Sequence, residues 1–238
     1  MVVTSARFTS MQLDASIQEV IQGYAFDEVL WQALKKRLKH QNDLEKSNVV
    51  KNELRPATYD DLRLLPSWGT QERLHLESVG AAAIAKGHVA AIVLAGGMAT
   101  RFKGEVKALV PVKDHLTFAD LKQRAIAHAA HQYQHPIPMW WMSSFLTHAP
   151  LHTWAQHHRD PRVPASVFCQ SVLLRLTPDG ELFVDDDAFQ SVYSPGHGDL
   201  IAALSRTSLL EQFIATGGKY LFVSNVDNLV ATLDPALI

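Results

Sequence analysis

The 238-residue sequence holds one cysteine, Cys169, which excludes an intrachain disulfide and argues against a cysteine-built metal site. It has no excess of either charge: 22 basic and 24 acidic residues leave a formal net charge of −2. A general polyanion-binding surface, and with it a nucleic-acid partner, is therefore not expected, and any phosphate site must be local. No run approaches the ~20 apolar residues of a membrane span. The N-terminal MVVTSARFTSMQLDAS lacks the continuous apolar core of a secretory signal. The expectation is a reduced, soluble, cytoplasmic protein. Internal repeats, low-complexity segments, a GxxxxGK[ST] loop and a GxGxxG fingerprint are also missing.

What is present suits a globular protein with a core: 47% hydrophobic and 19% charged residues. Residues 15–46 read as helical. Ile17, Val20 and Ile21 share one face. After Gly23, Phe26, Val29, Leu30, Ala33, Leu34 and Leu38 recur at spacings of three and four, with Lys35, Lys36 and Lys39 on a solvated face. Residues 47–70 are irregular around Pro56, Pro66 and Gly69, with a short capped helix expected after Thr58. Thr70 opens a helix to about Lys86, closed by Gly87. This gives a helical N-terminal region, 1–87, followed by a second region, 88–238.

From Val89 onward the pattern alternates between strand and helix. The stretch Val89 to Arg101, VAAIVLAGGMATR, starts as a short apolar run rich in β-branched residues and ends in glycines and a cation. The spacing predicts a buried strand of a parallel sheet feeding a turn able to approach phosphates. A helix is expected over Phe118–His131, with Leu121, Ile126 and Ala129 facing inward. Ile137–Met142 reads as a buried strand, Thr147–His157 as a helix and Ala165–Cys169 as a strand. Leu173–Leu176 and Glu181–Val184 read as a hairpin around Thr177-Pro178-Asp179-Gly180. Leu200–Leu204 and Leu209–Ile214 read as helices and Tyr220–Ser224 as another buried strand. Such alternation implies an α/β domain with a mostly parallel sheet, whose ligands bind beyond the carboxyl ends of the strands. Gly96, Ser143, Gln170 and Asn225 each follow a strand directly and are expected to converge there.

Five elements, in one order, carry a resemblance. LAGGMATRF…VKALVPV resembles the LxGGxGTR…PK signature of sugar-1-phosphate nucleotidyltransferases. WMSSFLTH, FCQ, SPGHGDLIAAL and KYLFVSNVDNLVATLDP resemble the M-[TN]-S-x-x-T, FxQ, PPGHGD and YxFVSNVDNLGAxVD elements of the eukaryotic-type UTP–glucose-1-phosphate uridylyltransferases. The resemblance implies a Rossmann-like, GT-A-like nucleotidyltransferase fold with a mixed, mostly parallel sheet. It implies a uridylyltransferase that joins UTP and glucose 1-phosphate into UDP-glucose and pyrophosphate with Mg²⁺. UDP-sugar and UDP-N-acetylhexosamine pyrophosphorylases stand as alternatives within the class, and a non-catalytic UTP-binding fragment outside it.

The same resemblance implies roles. Leu94, Ala95, Gly96 and Gly97 approach the nucleotide through their backbone, Arg101 meets the departing phosphates, and Lys107 stands at the phosphate-binding lysine. Gln170 reads the uracil edge and Gly196 permits close nucleotide approach. His197 and Asn225 serve the sugar phosphate, and Asp227 holds Mg²⁺ and the nucleotide. Two positions depart from the pattern: Ala99 replaces the second glycine of GxGT, and Val106 replaces the proline before Lys107. The family continues well past the NVDN strand, so the chain is expected to be the front portion of a nucleotidyltransferase, its sheet incomplete at the C-terminus. Met142 is read as packing and Asp185–Asp187 as a solvated loop. His148, His152, His157 and His158 are read as helix residues and not as a zinc site.

Overall fold

The structure is a computed structural model and describes residues 13, 15–40, 49–99, 104–184, 186 and 192–238. In chain order the elements are α1 (Ala15–Gly23), α2 (Glu28–His40), α3 (Gln71–Ala85), β1 (Val89–Leu94), β2 (Met98–Ala99), β3 (Glu105–Val106), β4 (Pro111–Lys113), β5 (Leu116–Thr117), α4 (Phe118–Gln132), β6 (Met139–Ser143), α5 (Phe145–His157), β7 (Ala165–Cys169), β8 (Leu173–Leu174), β9 (Val192–Tyr193), α6 (Leu200–Ser205), α7 (Leu209–Ala215) and β10 (Tyr220–Asn225). They fall into two compact units, Met1–Asn48 with Ser171–Ser194, and Val49–Gln170 with Pro195–Ile238. This division cuts across the boundary expected at residue 87, because α3 belongs with the sheet. No helix among the described residues is long and apolar enough to cross a membrane.

The larger unit is built on a sheet ordered β10-β1-β6-β7, with every pairing parallel. β1 is apolar throughout because both its faces are covered. Val89, Ala91, Val93 and Ala95 pack with Met139 and Trp141 beneath Ile84 of α3, Ile126 of α4 and Leu151 and Trp154 of α5. Ala90 and Ile92 pack on the other side with Trp140, Met142, Phe168, Leu204 of α6 and Phe213 of α7. β10 differs from the buried strand expected of it. It is the sheet's edge, and Tyr220 and Val223 are 43% and 42% exposed.

The helices start where side chains can take the free N–H groups of a first turn. Thr70 caps α3 by accepting the Arg73 N–H at 3.2 Å, and Gly87, at φ +73°, follows its end. Thr117 and Asp120 cap α4 reciprocally. Asp120 accepts the Thr117 N–H and hydroxyl, both at 2.8 Å, and the Trp154 indole N–H at 3.0 Å. Burial alone pushes this carboxyl up, but these donors and nearby His158 together hold it below the usual carboxylate range. α5 begins at Phe145, earlier than the expected Thr147. Ser144 is its cap, with the Ser144 N–H donating to Thr147 Oγ1 at 3.0 Å.

In the smaller unit α1 buries Ile17, Val20 and Ile21 as its spacing predicts. α2 turns a different face inward. Val29 and Leu30 are exposed, and Trp31 is the buried anchor. Its indole N–H donates to the Leu174 carbonyl at 2.9 Å, and the Phe26 ring lies 6.2 Å away. A large amphipathic ring supplies more apolar area than the valine beside it and still satisfies its N–H, so it sets the helix's rotation. The lysines are not simply solvated: Lys35 and Lys39 both pair with Glu181, and Lys35 lies over the Trp31 ring. The turn at Thr177–Gly180 forms, with Thr177 N–H donating to Glu181 O at 2.8 Å and Gly180 at φ +76°. Among the described residues its hairpin holds a single bridge, Leu176 to Leu182, because Leu173–Leu174 pair with Val192–Tyr193 instead of with 181–184. Residues 41–46 of the expected helix, Asp185 and Asp187 lie outside the described residues.

Candidate active site

Parallel pairing brings the carboxyl ends of the strands level. Leu94 sits opposite Asn225 on one side and Met142 on the other, and Ser143 opposite Cys169. The segments just beyond, Ala95–Gly97, Ser144, Gln170 and Val226–Asp227, therefore share one edge of the sheet. Ala95 is wholly buried, and both its backbone groups are engaged: its N–H donates to Met142 O at 2.8 Å and its carbonyl accepts the Thr147 hydroxyl at 3.1 Å. The Leu94 side chain packs into the core and its carbonyl accepts the Val226 N–H. Among the described residues the N–H groups of Gly96 and Gly97 have no hydrogen-bond partner. They are the loop's available donors.

Gly96 is glycine for close approach, not for backbone sign, since its φ is not positive. A Cβ there would fall on the Gln170 amide nitrogen, with the Ser144 nitrogen 3.2 Å away. Gln170 is buried, its backbone N–H donates to Ser143 O at 2.9 Å, and its Oε1 accepts the Gly196 N–H at 2.9 Å. Oε1 thus being engaged, the amide NH₂ is left lying over Gly96. Gly196 is glycine for the opposite reason: its φ is +91°, with open space around a would-be Cβ.

The cationic half of the site is Lys107. β2 and β3 pair antiparallel, Met98 with Val106 and Ala99 with Glu105. Ala99 lies in this extended ribbon, a backbone that alanine adopts readily, and Val106 holds φ −65°, the angle a proline would impose. The two departures from the family pattern are thus compatible with the local backbone. Lys107 N–H donates to Gly97 O at 3.2 Å, and its Nζ reaches Asp227 Oδ2 at 3.1 Å. Both side chains are partly exposed, and Asp227 Oδ1 has no partner among the described residues. Asn225 is exposed at the end of β10, and His197 is exposed in the turn that follows Gly196. Among the described residues, no hydrogen bond or ion pair ties their side chains to Lys107, Gln170 or Asp227. Arg101 lies outside the described residues.

Two roles are not legible in the sequence. Thr147, the last residue of the M-[TN]-S-x-x-T-like element, braces the loop through the Ala95 carbonyl, and the Ser144-x-x-Thr147 spacing of a helix start is its signal. Lys122 is buried on the inward face of α4, four residues before Ile126, where periodicity alone marks an interior position. Its Nζ donates to Ser224 Oγ and Ala231 O, both at 3.1 Å. Burial pushes this ammonium down, with the Asp227 carboxylate pulling the other way.

The neighbouring Ser143, His148 and Cys169 do not form a nucleophile. Ser143 Oγ lies 2.8 Å from His148 Nδ1 but spends its own proton on Phe168 O at 3.0 Å. Burial pushes the Cys169 thiol up to about 11, against a lowering by the Ser143 hydroxyl. At pH 8 the folded chain should react with Ellman's reagent about a hundredfold more slowly than the denatured chain, following its thiolate fraction. Equal rates would show that the thiol is not shielded. Among the described residues no three His, Cys, Asp or Glu side chains group as a metal cage.

A parallel α/β sheet with a glycine loop, a lysine–aspartate pair and a buried amide at its carboxyl edge is a Rossmann-like arrangement whose ligand site is expected beyond the strand ends. Residues 25–238 match the model of the family UTP–glucose-1-phosphate uridylyltransferase, and the chain belongs to that family. UTP–glucose-1-phosphate uridylyltransferase 2 of Dictyostelium discoideum is 36% identical over 150 residues, 61% of this chain and 30% of the relative. The chain thus spans about 30% of the length of the curated relatives it matches. A UDP-glucose pyrophosphorylase mutant of Leishmania major, solved with UDP-glucose, superposes with a TM-score of 0.60 at 21% identity over 95% of this chain and 47% of that one. UDP-N-acetylglucosamine pyrophosphorylase of Trypanosoma brucei superposes with a TM-score of 0.59 at 20% identity over 68% and 36%. These likenesses establish the fold.

Proposed function

We propose that the chain binds UTP at this sheet edge and serves the reaction of UTP with glucose 1-phosphate to UDP-glucose and pyrophosphate. The observation that carries the reading is the convergence of Gly96, Gln170 and Gly196 on one side of the loop and Gly97, Lys107 and Asp227 on the other. The first group suits a base. Gln170, with Oε1 accepting from Gly196, presents its NH₂ to an acceptor, which uracil offers as a carbonyl where cytosine carries an amine. The second group suits phosphates. The loop N–H groups and Lys107 supply donors and positive charge for the triphosphate.

An oxygen of the sugar phosphate attacks the α-phosphorus in line, forming the new P–O bond. The bond from that phosphorus to the β-phosphate bridging oxygen breaks, and pyrophosphate leaves with its electron pair. Such a transfer requires positioning and charge neutralisation more than covalent help. Lys107 neutralises charge on the phosphates, Gln170 and the loop fix the nucleoside end, and His197 and Asn225 serve the sugar phosphate, as the family motifs imply. Asp227, half-exposed with one carboxylate oxygen available, fits a hard cation completed by phosphate oxygens. Mg²⁺ bound there supplies charge neutralisation for the pyrophosphate. Glucose is favoured as the sugar by the family and by the PGHGD and SNVDNL segments.

Titration calorimetry with Mg²⁺ should give UTP an affinity at least about tenfold above that of CTP, the value of one discriminating hydrogen bond. A pyrophosphate-release assay should favour glucose 1-phosphate over N-acetylglucosamine 1-phosphate. Equal UTP and CTP affinities would overturn the base assignment, and a preference for the acetylated sugar would overturn the choice of glucose.

A further inference from the structure

We infer that Lys122 is a positioning residue that holds Asp227 in place for a divalent cation, which rests on the reading of Asp227 as the cation's ligand. Lys122 reaches from α4 through the interior, 4% exposed, to the base of the turn that carries Asp227. Its ammonium hydrogen-bonds Ser224, at the end of β10, and the carbonyl of Ala231, where the turn closes. Between those tethers the turn is braced on itself. Asn228 N–H donates to Asn225 O at 3.2 Å, Leu229 N–H to Asp227 O at 3.1 Å, and Ala231 N–H to Asn228 Oδ1 at 3.2 Å. One ammonium therefore fixes the separation of the two ends of the Asp227 turn.

Its partners are both neutral. Among the described residues no carboxylate hydrogen-bonds or pairs with Lys122. A buried cation hydrogen-bonded only to neutral acceptors, with the Asp227 carboxylate acting on it from beyond hydrogen-bond reach, is an expensive way to fill a core position that an apolar side chain would occupy. The arrangement makes sense as placement: the turn's ends are pinned from behind while Lys107 meets the carboxylate of Asp227 from in front. Residues that orient a ligand in this way commonly change metal affinity 10–100-fold when replaced, as an order of magnitude.

The test is Mn²⁺ binding to the 238-residue chain with saturating UTP, read by electron paramagnetic resonance, with metal-free UTP affinity measured beside it. Lys122→Met should weaken Mn²⁺ about tenfold and change metal-free UTP affinity less than about twofold. Ser224→Ala keeps the ammonium, removes one tether and should weaken Mn²⁺ about threefold. It decides the question if Lys122→Met does not fold. Asp227→Asn is the reference and should lose the metal response. If Asp227→Asn loses it while Lys122→Met and Ser224→Ala bind Mn²⁺ as the parent does, the positioning role is overturned and the site reading stands. If Asp227→Asn binds Mn²⁺ normally, the site reading fails and the inference falls with it. Parallel losses in metal-free UTP affinity would make Lys122 a general structural residue and overturn the inference.

Discussion

Gly96→Ala is expected to weaken UTP binding about a hundredfold, close to 3 kcal/mol. The added methyl has nowhere to go. Gln170 stands on one side and the Ser144 backbone on the other, and Ser144 is itself fixed by the Thr147 hydroxyl. Gln170 is buried and tethered at its backbone to Ser143, so its amide must rotate. Rotation breaks the bond to the Gly196 N–H, orphaning that donor, and removes the NH₂ group proposed to read uracil. Gly97→Ala is the control. Its methyl would meet Lys107 Cε at 3.7 Å and Nζ at 3.9 Å, ordinary contact distances, so thermal stability should be unchanged. Calorimetry of Gly96→Ala with UTP, and thermal melts of both variants, check the pair. Parental UTP affinity in Gly96→Ala would show that Gln170 does not read the base.

Gly80→Ala is expected to destabilise the larger unit by about 3 kcal/mol, the upper end for overpacking, and to lower Tm by roughly 6–12 °C. Alanine is normally the better residue inside a helix by ~1 kcal/mol, so propensity alone predicts the opposite sign. The clash decides. Gly80 lies in α3 against the Pro235–Leu237 turn, and a Cβ there would overlap the Pro235 carbonyl. Neither partner is a flexible side-chain end, so the turn must lift away. With it goes the contact of Asp234 with Arg73, whose guanidinium also meets Glu77 and the Trp68 ring. A thermal melt followed by circular dichroism checks this. A Tm equal to or above the parent's would show that the turn is not docked on α3.

Much of the larger unit is legible because its sequence signals are local. An apolar run ending in glycines, a threonine before a helix and a glycine after one each report their own backbone, as at Val89–Leu94, Thr70 and Gly87. Proximity at the sheet edge is also legible, since parallel strands bring their carboxyl ends together without further information. What does not show is which side chain meets which. Nothing near Gly96 in the sequence announces that its missing Cβ makes room for Gln170. The face of α2 is misjudged because Val29 and Leu30 match the apolar period, whereas Trp31 binds a carbonyl of Leu174, far along the chain. The β8 pairing is missed for a similar reason: a strong turn at Thr177–Gly180 suggests adjacent strands, but β8 finds its partner beyond it at Val192–Tyr193. Edge exposure of β10 depends on sheet order, which a strand's own residues do not encode.

Trp31 has an optical consequence. Of the five tryptophans, only Trp31 belongs to the smaller unit, the others being Trp68, Trp140, Trp141 and Trp154. Its indole is almost fully enclosed and hydrogen-bonded across two chain segments. If those segments part, the ring enters water and its fluorescence shifts to the red. With the other four tryptophans replaced by phenylalanine, emission excited at 295 nm would report, without any added dye, whether that unit is assembled.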